Sequence, residues 1–503
     1  MKRSIIVIFI SFIFYFSSFS QQKEISYKTD VFSSFSDGEN TPFWMLHHNW
    51  GMVPLDANNF YLRGAIFYDQ EINKDWSCRL GFDLAGSSPH SYGTPWIQQA
   101  YGELDWKMFR LRIGSKEDYS SQLDERLSSG DFNQSNHARP IPEVKLSSDY
   151  LIVPYMKENM YIRGDFALGK YLDGQWQEDK ARSHNQPYTK DVLSHHKSIY
   201  FRFGNIEKRN KRQFTVGFDH FAQWGGLLYK YRWIDGNYRY IEENQPQGIS
   251  DLFRVMIAKE GNNASAADNA YVSGSQTGSY LLKFDYRLKN ADQLNWYFQH
   301  FFDDGSGMNP ASFRDMLMGI QYKLAKKRLL SNVLFEYVYT KEQTGPIHFN
   351  LEMDDAHDNL RDKGIGNDDY YNNTDYVQGP SHYGRTMGTS LFLSPEHNKN
   401  GQVNFKSNRI IAFHLGVEGY FSPNLSYRFL ATTGQTWGRF YVPFIAVKDG
   451  FASNLDLRYD YPKAKGLNIK LSAGFNTGSF FGENAFGGGI TITKQGKFFK
   501  LIN

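Results

Sequence analysis

A chain of 503 residues with Phe 41, Tyr 33 and Trp 10 carries too much aromatic surface to stay unfolded in water, so disorder is excluded. A single cysteine, Cys78, excludes an internal disulfide framework. A formal charge of +3 from 56 basic and 53 acidic residues excludes a polycationic nucleic-acid-binding domain, and no nucleic acid is expected as a partner.

The first residues have the three parts of a secretory signal peptide. Lys2 and Arg3 form a basic start, Ile5 to Phe16 is an apolar run broken only by Ser11, and Ser18-Phe19-Ser20 places small residues before Gln21. The expected division is a signal peptide at 1–20 and a mature body at 21–503. An uncleaved anchor is the alternative, but the apolar core is shorter than the roughly 20 residues of a helical span. No cysteine follows the cleavage point to carry a lipid. Beyond Gln21 no apolar stretch approaches about 18 residues, so no spanning helix is expected in the body.

Within the body, a weak strand at 25–33 comes first, then a short helix at Pro42 to Leu46 with Thr41 as cap and Pro42 in its first position. Clear period-two alternation follows at 60–70, 76–85, 97–106 and 108–114. In the second of these, Trp76, Cys78, Leu80, Phe82 and Leu84 alternate with Ser77, Arg79, Gly81 and Asp83. Trp76, Leu80 and Phe82 are expected against lipid, and Arg79 and Asp83 in a wet lumen. A helix candidate at 119–127 and a weak strand at 145–153 come next, then strands at 160–169, 197–204 and 212–221. The run from Ser250 to Lys259 sets Leu252, Phe253, Val255 and Met256 at helical spacing, with Ser250 as cap and Gly261 as stop. Strands resume at 277–288, 293–302, 314–324, 330–340, 407–420, 423–434, 452–461, 467–476 and 484–494. Tight turns at Asn290-Ala291-Asp292, Ser422-Pro423-Asn424 and Pro462 to Gly466 contrast with long polar segments at 115–144, 170–196, 222–276 and 341–406.

Sixteen clear strands and two weak ones predict an all-β fold: a transmembrane antiparallel β-barrel of about 18 strands. Short periplasmic turns, long external loops partly filling the lumen and a few short periplasmic helices complete the expectation. A soluble β-sandwich is the alternative, and it would more often show short strands at closer spacing. The outer membrane is the expected location, with its lipid as a partner of a monomeric barrel.

The stretch Gly130-Asp131-Phe132-Asn133-Gln134-Ser135-Asn136-His137-Ala138-Arg139-Pro140-Ile141-Pro142-Glu143-Val144-Lys145-Leu146 resembles a segment of the Wzi family of capsule-assembly outer-membrane proteins. So do Thr41-Pro42-Phe43-Trp44, the run from His195 to Gly204, and Gly384-Arg385-Thr386-Met387-Gly388, in the same order along nearly the whole mature chain. The resemblance implies an eighteen-stranded barrel with a small periplasmic helical bundle. It also implies a lectin without enzymatic activity that tethers capsular polysaccharide to the cell surface. The chain departs from the enterobacterial pattern by an Asp- and Asn-rich insertion at 341–382, and it looks like the branch found in Bacteroidota. The polysaccharide partner can therefore differ.

Two groups of residues are candidates for a site. In the segment Arg139 to Glu143, Pro140 and Pro142 resist both helix and sheet, and the ions Arg139, Glu143 and the nearby Lys145 do not belong against lipid. A structural plug, with Arg139 forked to a carboxylate, is the leading reading of it, and direct sugar contact the lesser one. Sugar recognition commonly pairs an aromatic face with amide and carboxylate groups. Trp176, beside Asp173 and Gln175, has that chemistry, as does Gly364 to Gly379 with Asp368, Asp369, Tyr370, Tyr371, Asn373 and Tyr376. Against this stands an ordinary solvated loop or an interface aromatic. No catalytic residue, metal site or cofactor is expected. His195 and His196 are adjacent and face opposite ways in a strand, no calcium-loop spacing surrounds Asp354-Asp355 or Asp368-Asp369, and hydrolase and nucleotide motifs are missing. The expected function is binding and anchoring of a surface or capsular polysaccharide. A channel for a hydrophilic solute or exported polysaccharide is the alternative, and a surface hydrolase the third reading.

Overall fold

The computed structural model describes residues 22–89, 94–156, 159–207, 211–259, 273–303, 307–308, 314–343 and 368–502. The expected signal peptide, Gly261 and most of the 341–382 insertion lie outside them.

The largest described sheet closes into one antiparallel barrel. Gln22–Ser36 pairs on one side with Asn59–Glu71 and on the other with the last strand, Ala485–Ile502, and each remaining wall strand pairs with its neighbours in sequence. The piece Leu151–Ile152 continues the wall position of Glu143–Ser148, since both pair with Met160–Lys170, which makes an 18-strand wall. All sixteen clear strands and both weak ones are in it. The weak signals have a physical origin. In Gln22–Ser36 the outward Val31 and Phe35, 39% and 67% exposed, alternate with outward Thr29 and Ser33, so the apolar face is diluted by hydroxyls. Glu143–Ser148 is a short strand of 6 residues.

Side chains follow the inverted rule of a barrel in lipid: apolar outside, charged inside. Phe60, Leu62 and Ile66 are 41%, 54% and 55% exposed, whereas Arg63 between them is buried and donates through Nε to Asp83 Oδ2 at 2.8 Å. Phe82 is exposed beside a fully buried Asp83, and Arg79 turns inward to Asp105 at 2.6 Å. Near the short turns Trp76, Trp106, Phe109, Tyr322 and Tyr459 stand outward as an aromatic girdle. Among the described residues no helix is long and apolar enough to cross a membrane.

Both chain ends and the short connections, such as 107–108 and 423–424, share one end, the periplasmic one by the usual rule. The long connections share the other. The three described helices, Phe43–Leu46, Gly174–Arg182 and Ile249–Met256, all lie in long connections, so the expected periplasmic helices are at the opposite end. Their caps also differ from expectation. Pro42 precedes the first helix, and the Thr41 hydroxyl is spent on the carbonyls of Pro54 and Asp56 at 3.1 and 2.9 Å. Gly248 rather than Ser250 starts the third, its N–H donating to Asp251 Oδ2 at 2.8 Å. Residues 119–127 form turns instead of a helix, and Gly174–Arg182 is a helix where a loop was expected.

Candidate functional site: the lumen plug and its outer face

Long connections, among them 37–58, 116–142 and 368–409, fold inward and fill the lumen. The principal one leaves the wall at Gly114, whose φ of 115° turns the chain and whose Cα lies against the Ala100 carbonyl where no side chain fits. Beyond Ser115, three successive residues latch it to the wall. Lys116 meets Glu103 at 2.8 Å, Glu117 meets Arg63 at 2.7 Å, and Asp118 meets Arg112 and Lys145 at 2.7 and 3.0 Å. Two cations hold the Asp118 carboxyl well below the usual range despite its burial.

From the latch the chain descends almost to the periplasmic end. Asp124 accepts from Gln321 at 2.7 Å and lies 3.0 Å from Lys323, which stand at the periplasmic end of the wall strand Met316–Lys323. Ser128 and the Ser129 N–H donate to Glu336 at 2.6 and 2.7 Å, and the Leu127 carbonyl accepts from His414 Nε2 at 2.7 Å. On the way back Phe132 stacks on Phe301 at 4.3 Å and packs on Tyr370, Tyr371 and Phe392. Asn133 and Gln134 each donate to Asp219 at 2.7 Å.

The plug candidates split between two elements. Glu143 and Lys145 are lumen-facing residues of the wall strand Glu143–Ser148, where Glu143 accepts from Arg112. Arg139, Pro140 and Pro142 belong to the plug proper, with Ile141 packed on Tyr171, Val192, Phe221 and Tyr376. Arg139 is buried, but its guanidinium sits in an aromatic seat, 3.9 Å from the Trp96 ring and 4.8 Å from that of Tyr383. The two rings are the described contacts that define its place. Burial pushes this guanidinium down to about 10. A stacked cation contributes about 1–2 kcal/mol when desolvated. Arg139→Ala is therefore expected to lower the temperature of heat-modified gel migration, with Trp96→Leu producing a similar loss and Arg139→Lys an intermediate one. Unchanged melting in all three would remove the seat from the plug's support.

The expected sugar-binding aromatics of 364–379 are inside. Tyr370, Tyr371 and Tyr376 are 0%, 1% and 1% exposed, so no ring face is open to a ligand. Tyr370 donates to Asp315 at 3.0 Å and Tyr371 to the Phe132 carbonyl. Asp369 binds Arg439 and Asn408 at 2.9 and 2.6 Å, Asp368 is buried, and Asn373 accepts from the Asp375 and Tyr376 N–H groups. Their aromatic area is worth more against Phe132, Phe392 and Phe405 than in a solvated loop. Trp176 is half-buried on Gly174–Arg182 and covers Gly384, where a Cβ would stand 2.4 Å from its ring.

At the heart of the plug, four histidines and an arginine meet. His47 and His48 lie with ring centroids 4.9 Å from His137, and the ring nitrogens of His47 and His397 carry no hydrogen bond among the described residues. Arg385 donates to the Leu46 and Val53 carbonyls at 3.1 and 2.6 Å and pairs with Glu396. Among the described residues no group of three or more His, Cys, Asp or Glu is placed to hold a metal ion.

Sequence reasoning missed the outer hairpin Leu227–Ile234 and Asn237–Asn244. Its signal was present: Asp235-Gly236 is a two-residue turn between alternating segments, and both residues have positive φ, 49° and 86°. Tyr231 and Tyr238 stack at 5.4 Å, Trp233 packs edge-on to Tyr238 at 4.9 Å, and Trp233 and Tyr238 are 60% and 61% exposed. Arg232, Asp235 and Arg239 flank them, also exposed. The hairpin rises from the long-connection end and pairs with Tyr188–Lys190, whose Tyr188 stacks on Tyr229 at 4.7 Å.

Among the described residues, two cavities with charged groups in their lining stand on neighbouring wall strands. One of about 100 Å³ is lined by Arg112, Lys116, Asp118, Gln134, Arg139 and Lys145. Another of about 360 Å³ lies by the short turns, with Asp105, Arg110 and Ser147 in its lining.

No family model matches the chain, and no curated protein matches it by sequence. Solved structures do match its fold. One is Wzi of Escherichia coli, described as an outer membrane protein involved in group 1 capsule assembly and a carbohydrate binding beta-barrel. It shares 13% identity at a TM-score of 0.56, over 94% of this chain and 84% of that one. Another is OccAB2 of Acinetobacter baumannii, 10% identical at a TM-score of 0.50, over 96% of this chain and 100% of that one. With the lipid-facing belt and the closed 18-strand wall, these matches make the chain an outer-membrane β-barrel.

Proposed function

We propose that this protein binds a surface or capsular polysaccharide at its outer end and helps to assemble or anchor it there, as a Wzi-like binding protein and not as an enzyme. The observation that carries the reading is a lumen filled by latched, buried chain beneath an exposed aromatic hairpin. A plug tied to the wall by Lys116, Glu117 and Asp118 suits a scaffold, and Trp233 and Tyr238 with Arg232, Asp235 and Arg239 offer stacking faces beside hydroxyl-binding ions. The carbohydrate-binding activity of the neighbour Wzi supports the same chemistry. The partners in this reading are the glycan and outer-membrane lipid, around a single barrel.

The test is binding of purified cell-surface polysaccharide to the folded barrel in detergent. Exposed Trp and Tyr anchors typically cost about 2 kcal/mol on truncation, so Trp233→Ala with Tyr238→Ala is expected to weaken binding at least tenfold at unchanged heat modification. Binding that survives the double variant sinks the hairpin assignment, and shortening of the glycan on incubation sinks the non-enzymatic reading.

The channel reading draws on the two cavities. They share wall strands: Arg110 and Arg112 are successive inward residues of Phe109–Ser115, and Ser147 and Lys145 of Glu143–Ser148, so one cavity stands above the other along these strands. Stable single-channel steps in a planar bilayer at neutral pH would favour it.

A further inference from the structure

The helix Ile249–Met256 rests on the outside of the barrel. On the wall strand Arg212–Trp224 the inward residues are odd-numbered, as Asp219 and Gln223 show by bonding to the plug, so Ala222 and Trp224 face outward. These two form a buried cluster with Val255 of the helix, joined by Leu193 and Leu252. Lys197, which also faces outward, donates from Nζ to the Met256 carbonyl at the helix's C-terminal end, where backbone acceptors lack helical partners. The helix thus screens an outward lysine from lipid, and the lysine clamps the helix to the wall.

The apolar arc of this helix is wider than the strip the wall covers. Val255 is fully buried, yet Ile249, Phe253 and Ile257, spaced four apart on the adjoining face, are 77%, 59% and 67% exposed. Their height is set by the strands. About 9–11 residues cross the hydrocarbon at the usual tilt, so a strand of 13 residues starting at Arg212 leaves it near Ala222, the residue the helix covers. Below, the exposed Ile199, Leu282, Phe284 and Phe214 continue the same apolar surface.

We infer that Ile249–Met256 and the adjoining Ile257 are an interfacial foot, which inserts Ile249, Phe253 and Ile257 among the acyl chains of the outer leaflet. The occupant is lipid because the stripe is continuous with the lipid-facing belt and lies where the hydrocarbon ends. The polar side of the helix, with Ser250 and Arg254, faces the aqueous boundary, as in amphipathic helices that lie in the membrane plane.

The test places nitroxide labels at Phe253→Cys, Ile257→Cys and Arg254→Cys, one at a time, in a Cys78→Ser background, on protein refolded into phospholipid vesicles. Phe284→Cys on the belt and Trp233→Cys on the outer hairpin are the lipid and water references, and heat-modifiable migration checks each fold. The expected result is an oxygen-to-nickel-complex collision ratio at 253 and 257 that matches 284 and exceeds 233 several-fold, with 254 falling towards 233. Ratios at 253 and 257 equal to that at 233 would overturn the inference, because the stripe would then face water. Labels shielded from both probes would overturn it equally, because protein would cover the stripe.

Discussion

At pH 4.5 the plug is expected to loosen from the wall while the barrel stays closed. His137 and His397 are held at about 3 and His382 at about 4, in each case first by burial; Arg385 adds to the effect at His137 and His397, and Arg139 at His382. His47 is pushed well down by burial and then by His137 and Arg385, with His397 and His48 as further neighbours. Neutral in the folded plug, these rings accept protons near 6.5 only when the plug is open. Below that pH the open state binds more protons than the closed one, so stability is whole above 6.5 and falls towards 3–4. Two pH units of that fall cost about 2.7 kcal/mol per histidine. Carboxyls raised by burial work the other way: Asp173 is raised to about 6, Asp131 is raised with Asp219 adding to it, and Glu125 and Glu396 are raised as well. Asp173 returns about 2 kcal/mol between pH 6 and 4.5, less than one histidine costs, so the histidines set the direction of the change. Bilayer recordings should show rare openings at pH 7.5 and frequent ones at pH 4.5. His137→Gln with His397→Gln should shift the transition to lower pH, and an unshifted transition would mean that other groups sense the acid.

Arg385→Ala is expected to release the plug at neutral pH. The guanidinium ties the connection 37–58, through the Leu46 and Val53 carbonyls, to Glu396 in the connection 340–409. Glu396 is largely enclosed, its carboxyl already raised by desolvation and held back chiefly by Arg385. Removing one partner of such a pair leaves a buried charge and two unpaired carbonyls, a loss of about 3–5 kcal/mol. Arg385→Lys keeps the charge but cannot reach both carbonyls and Glu396 at once, so it should recover only part. Heat-modification temperature and the frequency of channel openings report the outcome. A variant with wild-type values in both would show that the plug is held elsewhere, with the latch at Lys116 to Asp118 the next place to cut.

The candidate site was less legible than the fold. Tyr370, Tyr371 and Tyr376 have sugar-binding chemistry in sequence and packing duty in space, because a residue type does not say which neighbours surround it. Arg139 drew notice by its prolines and charge, but its Trp96 and Tyr383 seat is built from residues 43 positions upstream and 244 downstream. The Lys116-Glu117-Asp118 run looks like any solvated charge cluster until the barrel sets Arg63, Glu103, Arg112 and Lys145 opposite it.

By itself the sequence determined the wall. Each strand writes its own two faces, since lipid favours apolar side chains and a lumen-facing position need not be apolar, and that local demand repeats every second residue along the wall strands. Tertiary structure alone decided what fills the wall and what lies outside it. The plug's order comes from pairs hundreds of residues apart, such as Trp44 donating to Thr432 at 3.0 Å and Tyr371 to Phe132, and Ile249–Met256 settles on the lipid side because Ala222, Trp224 and Lys197 offer it a surface there. No periodicity encodes those contacts: they are complementary shapes and charges that exist only once the barrel has closed.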